Sequence, residues 1–286
     1  MKVSPMSQNF PLVSIVIPTR NEAVNIISCL EAIGKQNYSQ DKLEVIIVDN
    51  NSTDQTKILA ASYTNKIFNY GPERSAQRNF GVNKASGKYI LYLDADMILS
   101  EKVVSECVEE CEGKELVSLY IKEIIIGEGF WIKVRDFERK FYVKTCIDCV
   151  RFIRRDKFIE IGGFDENLTG PEDWDFDRRI RTRGEVGLIK AAIYHNERKL
   201  KFFDYVHKKN YYAEDFGKYI KKWGKNDHLV RKQFGFFYRY FGIFMGDKKY
   251  FELLAHPILT IAMYYLRILV GLAYIYSKFK NIYRNK

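Results

Sequence analysis

Short apolar runs alternate with stretches of helical periodicity along the first part of the chain. The apolar runs are Leu12–Ile17, Leu43–Val48 and Tyr89–Leu93, and the helical stretches are Ala23–Lys35, Asp54–Ala61 and Arg74–Ala85. Apolar runs of this length, rich in branched and aromatic residues, predict buried strands, and the periodic stretches predict amphipathic helices. The alternation predicts an α/β domain, in which helices cover both faces of a mostly parallel sheet.

Polar residues follow each of these predicted strands, in the segments Pro18–Glu22, Asp49–Asp54 and Asp94–Asp96. Parallel sheets bind their ligands beyond the carboxyl ends of the strands, so the segments predict one shared binding edge. Neither of the glycine-rich phosphate loops, G-x-G-x-x-G or G-x-x-x-x-G-K, follows any of the strands. A phosphate bound here would therefore need a neutralising group other than backbone amides.

Asp94 and Asp96 are the candidates for holding that group. Their i, i+2 spacing on an extended segment places both carboxylates on one face, which favours a hard divalent cation such as Mg²⁺ or Mn²⁺. Such an ion would bridge diphosphate oxygens and offset the charge of a departing nucleotide. The alternative is that one Asp caps a following helix while the other lies in a solvated turn.

A second acidic cluster opens a predicted helix over Glu172–Arg183. A carboxylate of this cluster could serve as a general base. Acidic residues are also expected in a first helical turn because of the helix dipole. Helix capping and solvation account for Asp175 and Asp177 better than for Glu172 and Asp173.

Taken in order, these motifs resemble the family 2 nucleotide-sugar glycosyltransferases of the GT-A fold. The matching segments are Pro18–Glu22, Val48–Asp54, Arg78–Gly81, Asp94–Asp96, Gly162–Asp165 and Glu172–Asp175. Each motif is weak alone, but six in order at plausible spacing are specific. The likeness covers roughly Leu12 to Asn196 and implies a Rossmann-like, mostly parallel sheet flanked by helices.

The resemblance also implies binding roles. Asp49 would accept a hydrogen bond from the nucleotide base, and Arg78 would lie near the base or the phosphates, with a solvated helix residue as the alternative. Asp96 would be the direct ligand of Mn²⁺ or Mg²⁺, with Asp94 toward the ribose or behind the metal. The residues implied for the nucleotide sugar are Pro18, Thr19, Arg20, Glu22, Asp49, Asn51, Arg78, Asp94 and Ala95, and those for the metal are Asp94, Asp96 and His195.

For catalysis, the resemblance implies that Asp173 deprotonates the acceptor hydroxyl for in-line attack at the anomeric carbon. A single displacement of this kind inverts the anomeric configuration. Glu172 would orient the acceptor or the base. His195 follows the strand-like runs Val186–Lys190 and Ala191–Tyr194, and its imidazole would suit Mn²⁺ as a further ligand. A structural histidine is the alternative.

One motif of the processive relatives is absent. Polysaccharide synthases that extend a chain carry Q-x-x-R-W, and the nearest segment here, Arg231–Phe234, lacks the Arg-Trp pair. We therefore expect transfer of one sugar per encounter.

Charge separates the chain into two regions. Residues 199–286 hold 18 Lys and Arg against 6 Asp and Glu, a net charge of +12, whereas residues 1–198 carry −2 and the whole chain +10. The same residues 199–286 hold 23 of the 43 aromatic residues of the chain. We predict a catalytic domain at 1–198 and a membrane-association region at 199–286. A basic, aromatic surface fits an anionic membrane. Single-stranded nucleic acid, the other partner of such surfaces, does not account for the long apolar run Leu253–Tyr276.

That run is long enough to span a bilayer, but Arg267, His256 and Pro257 interrupt it. We expect helices that lie in the membrane interface, with one true span as the second possibility and a tail packed on the body or in an oligomer contact as the third. Membrane attachment suggests a lipid-linked acceptor, a polyprenyl phosphate or a polyprenyl-diphosphate sugar.

The five cysteines are odd in number, and no signal peptide is evident before the first strand, so we expect a cytosolic body with reduced thiols. Cys107 and Cys111 lie one turn apart on a predicted helix, and Cys146 and Cys149 form a C-x-x-C. A four-thiolate zinc site is formally possible, while buried thiols are the more common outcome.

The sequence therefore predicts an inverting, metal-dependent glycosyltransferase at the cytoplasmic face of the cell membrane. The alternatives are a retaining GT-A transferase, a nucleotidyltransferase with a related sheet, and an inactive membrane adaptor. The nucleotidyltransferase usually has a glycine-rich loop after its first strand, and the adaptor would have decayed acidic motifs; neither feature is present.

Overall fold

The structure is a computed structural model. It describes residues 10–213, 215–246 and 249–284, with side chains as far as residue 272 in the last of these ranges. The predicted run Leu253–Tyr276 therefore lies partly outside the described side chains.

A mixed sheet of eight strands forms the centre of the fold. In chain order its strands are β1 (Val13–Thr19), β2 (Leu43–Asp49), β3 (Ile67–Asn69), β4 (Tyr89–Tyr92), β5 (Met97–Leu99), β6 (Ser118–Glu128), β7 (Phe152–Arg154) and β8 (Val186–Lys199). Their order across the sheet is β3-β2-β1-β4-β7-β6-β8-β5. The α/β class predicted from the alternating pattern is confirmed.

Helices connect and cover these strands. They are α1 (Ile26–Gly34), α2 (Thr56–Ala60), α3 (Arg74–Lys84), α4 (Val103–Lys114), α5 (Phe130–Arg139), α6 (Arg155–Glu160), α7 (Glu172–Ile180), α8 (Phe202–Ala213), α9 (Phe216–Trp223), α10 (His228–Phe234), α11 (Ile243–Met245), α12 (Tyr250–Ala255) and α13 (Pro257–Arg284). A 3₁₀ turn lies at Gln40–Lys42 and a π-helical turn at Tyr238–Gly242.

The three predicted strands pair in parallel. β1 is flanked by β2 and β4, with Val13 opposite both Leu43 and Tyr89. Every residue of β1 is buried, as expected for a central parallel strand. β7 runs antiparallel to β4 and to β6, so the sheet is mixed beyond β4.

Helix α3 lies very close to the parallel strands. A Cβ atom on Gly81 would stand 2.3 Å from Val16 Cγ1 and 3.1 Å from Val48 Cγ2. Only glycine fits this approach, because real Cβ contacts are not shorter than 3.0 Å. The approach packs the second half of α3 directly against β1 and β2.

The chain divides into two compact units, each built from three separate segments of the sequence. Unit 1 comprises residues 1–121, 150–163 and 180–192, and unit 2 comprises residues 122–149, 164–179 and 193–286. Unit 1 contains the parallel strands and their helices. Unit 2 contains α5, α7 and the basic C-terminal helices. The functional boundary expected at residue 198 stays a prediction.

Unit 2 has an apolar core of its own. It is built around Phe137 and Phe141 of α5, Phe244 of α11, and Met263 and Leu266 of α13. Among the helices in the described ranges, none is long and apolar enough to cross a membrane.

Candidate functional site

The carboxyl ends of β1 and β2 are joined by side-chain hydrogen bonds in unit 1. Thr19 and Asp49 are register partners, and Thr19 Oγ1 donates to Asp49 Oδ2 at 2.8 Å. Asp49 also accepts from the Ser52 backbone N–H at 2.7 Å and the Ser52 hydroxyl at 2.5 Å. Asp49 is fully buried, so its carboxylate organises the loop after β2. Its implied contact with a nucleotide base stays a prediction.

The loops after these strands are tied to each other. Asn21 and Asn51 both adopt left-handed backbone conformations, with φ of 57° and 51°. Asn21 Oδ1 accepts from the Thr53 backbone N–H at 2.9 Å, and the Asn21 N–H donates to Ser52 Oγ at 2.8 Å. Asparagine tolerates this conformation better than most residues, which explains its place at both turns.

The other implied nucleotide residues of these loops differ in exposure. Pro18 is buried within β1, whereas Arg20 and Asn51 are exposed. The Glu22 backbone N–H donates to Thr56 Oγ1 at 2.8 Å, which attaches the first loop to α2. These hydrogen bonds fix the two loops to each other and to α2, and Arg20 and Asn51 are accessible to solvent.

Arg78 is a buried cation at this edge. It is 1% exposed, and its Nη2 donates to Asp94 Oδ1 at 2.8 Å. Its guanidinium carbon lies 4.6 Å from the centre of the Tyr92 ring. The alternative of a solvated helix residue is therefore wrong. The implied position of Arg78 near the base or the phosphates stays a prediction.

Asp94 and Asp96 lie in a tight turn between β4 and β5. The Met97 N–H donates to the Asp94 carbonyl at 3.0 Å, and Ala95 is buried at the centre of the turn. Both aspartate side chains are partly exposed. The suggestion that one of them caps a following helix is wrong, because β5 follows the turn and α4 begins only at Val103.

Two carboxylates on one turn suit Mg²⁺ or Mn²⁺, which bind proteins through one or two carboxylates and complete their shell with water and substrate phosphates. Within the part of the chain that the structure describes, no three His, Cys, Asp or Glu side chains group to hold a metal. The four-thiolate zinc site is thus not assembled there: Cys107 and Cys111 are buried on α4, and burial raises the pKa of the Cys111 thiol to about 12.

Sequence reasoning missed Gln77, which precedes Arg78 on α3. Its Nε2 donates to the carbonyls of Thr19, the last residue of β1, at 3.1 Å and of Val48, the residue before the end of β2, at 2.6 Å. Gln77 is buried. The sequence did contain a signal for a buried polar contact here. Gln77 and Arg78 are adjacent long polar residues in a helix that is predicted to cover an apolar sheet.

In unit 2, helix α7 carries the second acidic cluster. Glu172 is buried and Asp173 is partly exposed at the first turn. Asp175 is fully buried and accepts from Arg179 Nε at 2.8 Å and from Trp223 Nε1 at 2.9 Å, with Lys222 Nζ at 2.7 Å. The expectation that Asp175 and Asp177 are solvated is wrong, since Asp177 is only 4% exposed.

His195, on β8 in unit 2, has an acidic neighbour. Its Nδ1 lies 3.7 Å from Glu123 Oε2, which also accepts from Arg139 Nε at 3.1 Å. Arg139 Nη2 continues the network to Asp148 Oδ1 at 2.9 Å. The charged network gives His195 a structural partner, and its implied role as a metal ligand stays a prediction.

Comparison with family models gives two matches. The model described as Glycosyl transferase family 2 matches residues 14–164, just over half of the chain. A second, described as Glycosyltransferase like family 2, matches residues 104–240.

Similar proteins come from an archaeon and from bacteria. Glycosyltransferase AglE of Haloferax volcanii is 29% identical over 195 residues, which cover 63% of this chain and 64% of AglE. The PGL/p-HBAD biosynthesis glycosyltransferase of Mycobacterium tuberculosis is 31% identical over 59% of this chain and 69% of its own length. The minor teichoic acid biosynthesis protein GgaB of Bacillus subtilis is 26% identical, but the match spans only 22% of GgaB. The chain thus spans less than two thirds of AglE and of GgaB.

Solved structures share the fold. The mannosyltransferase PcManGT from Pyrobaculum calidifontis, solved in complex with GDP-Man and Mn²⁺, superposes with a TM-score of 0.60 at 20% identity, covering 95% of this chain and 78% of PcManGT. TarS of S. aureus gives a TM-score of 0.57 at 18% identity, covering 92% of this chain and 54% of TarS. The expected GT-A fold is confirmed.

Proposed function

The chain belongs to glycosyl transferase family 2, and on this premise we propose that it transfers one sugar from a nucleoside diphosphate sugar to an acceptor hydroxyl. The observation that carries the proposal is the buried Arg78–Asp94 pair at the carboxyl ends of the parallel strands. It sets a fixed cation beside the carboxylates of a turn that faces the ligand-binding edge of such sheets.

The proposal includes a divalent metal. Asp96, with Asp94 beside it, would hold Mn²⁺ or Mg²⁺, and PcManGT was solved with Mn²⁺. When bound, the ion would neutralise charge on the diphosphate leaving group. The pairing of Asp94 with Arg78 supports Asp96 as the more direct ligand.

Asp173 is the proposed catalytic base. Its carboxylate would take the proton of the acceptor hydroxyl as the new C–O bond forms at the anomeric carbon. The bond from that carbon to the diphosphate oxygen breaks in the same displacement, so the configuration inverts. Glu172 would orient the acceptor or Asp173. The partial exposure of Asp173, against the burial of Asp175 on the same helix, supports this division of roles.

We propose a lipid-linked acceptor and a position at the cytoplasmic face of the membrane. The support is the basic, aromatic composition of residues 199–286. The proposal of one sugar per encounter is supported by the missing Q-x-x-R-W motif.

Slow hydrolysis of the donor tests the mechanism without knowledge of the acceptor, because water can take the acceptor's place. Candidate UDP- and GDP-sugars are followed by proton NMR, which identifies the first anomer released. We expect one donor to react with inversion, and we expect Asp173→Asn to slow it by roughly 10²-fold or more. Retention of configuration would contradict the proposed mechanism, as would full activity of Asp173→Asn.

A further inference from the structure

Helix α13 exposes a continuous row of large apolar side chains, which we name the α13 stripe. Its members and their exposed fractions are Ile258 71%, Ile261 71%, Tyr265 55%, Ile268 50% and Leu272 57%. They recur every three or four residues, so they share one face of the helix. The sequence continues the same spacing with Ile275, Phe279 and Ile282. Such a continuous apolar row on a surface marks an interaction site.

The opposite face of α13 is held by unit 2. Met263 is fully buried and Leu266 is 2% exposed in the core that also contains Phe137 of α5. Arg267 Nη1 lies 2.5 Å from Glu138 Oε1 on α5 and 2.7 Å from the Tyr142 hydroxyl. One face of α13 is therefore packed against the core of unit 2, and the α13 stripe lies on the exposed face of the same helix.

Further exposed aromatic residues flank the stripe. Phe236, Phe237 and Phe241, each more than half exposed, come from the segment around the π-helical turn. The Tyr264 hydroxyl donates to the Tyr240 carbonyl at 2.7 Å, which joins that segment to α13. On the side of α5, the Trp131 ring stacks with Tyr265 at a centroid distance of 6.3 Å.

Two cations belong to the π-helical turn or contact it. Arg239 belongs to the π-helical turn, and Lys232 Nζ lies 5.7 Å from the ring centre of Tyr238. Residues 199–286 as a whole carry a net charge of +12. An apolar face with aromatic and basic neighbours is the pattern of helices that lie in the interface of an anionic membrane.

We propose that the α13 stripe, with Phe236, Phe237 and Phe241, inserts into the interfacial region of an anionic bilayer, with α13 parallel to the membrane surface. The inference rests on the proposed function, in which the acceptor is lipid-linked and the enzyme therefore has to reach the membrane surface. It gives the membrane-association region a defined binding face.

A second copy of the chain is the competing occupant, because the stripe has the heptad spacing of a coiled-coil seam. The positions that flank the stripe on α13 are Ala262, Tyr264, Leu269 and Gly271, none of which is charged. Paired helices in water use charges at these positions to choose a partner and its orientation. Uncharged flanks beside an exposed apolar row favour lipid.

Vesicle flotation of the full chain tests the proposal. The vesicles contain phosphatidylcholine alone or with about 30% phosphatidylglycerol. The test variant is Ile261→Asp with Ile268→Asp, and the control is Ile58→Asp, which changes an isoleucine of α2 that is 73% exposed. We expect the wild type and the control to float with anionic vesicles. The double variant should bind roughly 100-fold more weakly, about tenfold for each isoleucine.

The outcomes separate the two occupants and the two proposals. Equal flotation of the double variant and the control overturns the inference. The inference is also overturned if light scattering shows the wild type as a dimer and the double variant as a monomer, and neither protein binds vesicles. Thermal stabilisation by nucleotide and metal is measured on the same samples. If it persists in the double variant while flotation is lost, the membrane surface is supported independently of donor binding; if it is absent throughout, the proposed function fails and flotation still decides the surface.

Discussion

At the scale of single residues, the binding edge depends on polar groups that the fold holds in place. Asp94 and Asp96 could be identified from the sequence because they directly follow a strong strand pattern. The roles of Gln77 and Arg78 could not. The carbonyls that Gln77 binds lie 58 and 29 positions earlier in the chain. The Arg78–Asp94 pair joins a helix to a turn, and no local pattern encodes such a contact.

Arg78 and Asp94 should contribute jointly to the free energy of unfolding. Arg78→Met, Asp94→Asn and the double variant form a double-mutant cycle, measured by urea unfolding. Because Arg78 is buried, we expect a coupling free energy of about 1–3 kcal/mol. Additive single effects, within about 0.5 kcal/mol, would show that the two side chains do not stabilise each other.

Gly81 gives a second test at this scale. A methyl group there would collide with Val16, so Gly81→Ala should lower the free energy of unfolding by about 1–3 kcal/mol. Gly113 on α4 is the matched control, since nothing lies within 4 Å of its added Cβ. Gly113→Ala should be neutral or stabilising by up to about 1 kcal/mol, because alanine is the better helix former. Equal effects of the two substitutions would contradict the close approach of α3 to the sheet.

At the scale of elements, periodic patterns predicted the parallel strands and their helices, and the ends agreed to within a few residues. The predicted helix Ala23–Lys35 begins three residues later, at Ile26. β7 was missed because its three residues, Phe152–Arg154, are too few to show a period. The two predicted runs at Val186–Tyr194 form one strand that continues to Lys199.

Helix α7 carries two aspartates with different expected roles: Asp173 is the proposed catalytic base, and Asp175 stabilises the fold. Asp175→Asn should lower the free energy of unfolding by about 3–5 kcal/mol, because it removes the buried negative charge that pairs with Arg179 and Lys222. Asp173→Asn should change the free energy of unfolding by less than about 1 kcal/mol and slow donor turnover by roughly 10²-fold or more. Thermal unfolding and NMR turnover of both variants check the contrast. A stable Asp175→Asn variant would contradict the structural role.

At the scale of the whole molecule, the sequence predicted that positive charge concentrates in residues 199–286. It did not predict which other segments these residues pack against. The basic C-terminal residues share unit 2 with residues 122–149 and 164–179. Those segments carry partners such as Glu138, which binds Arg267 from 129 positions away. Composition predicts a basic surface, whereas only tertiary contacts show which face of α13 is left exposed.

The buried charges of unit 2 make stability depend on pH. Burial opposes ionisation of Glu138, but the charges of Arg135 and Arg267 outweigh it and lower the pKa of Glu138 to about 2. Its contribution, on the order of 3 kcal/mol, is present above the unfolded pKa and is lost as pH falls from about 4.5 to 2. The wild type should therefore lose stability in this window faster than Glu138→Gln. Urea unfolding against pH checks this, with Glu128→Gln as an exposed control; parallel curves for all three proteins would contradict it.

The central claim is that the edge formed by β1, β2 and the Asp94–Asp96 turn binds a nucleoside diphosphate together with a divalent metal. The most direct measurement is thermal stabilisation by UDP, GDP, CDP and dTDP, each with Mn²⁺, Mg²⁺ or EDTA. At about 100 times the dissociation constant, one nucleotide with metal should stabilise the protein by about 2.7 kcal/mol. Asp96→Ala should abolish the effect, and Asp41→Ala, at an exposed position, should retain it. No stabilisation by any nucleotide, or an undiminished effect in Asp96→Ala, would contradict the claim.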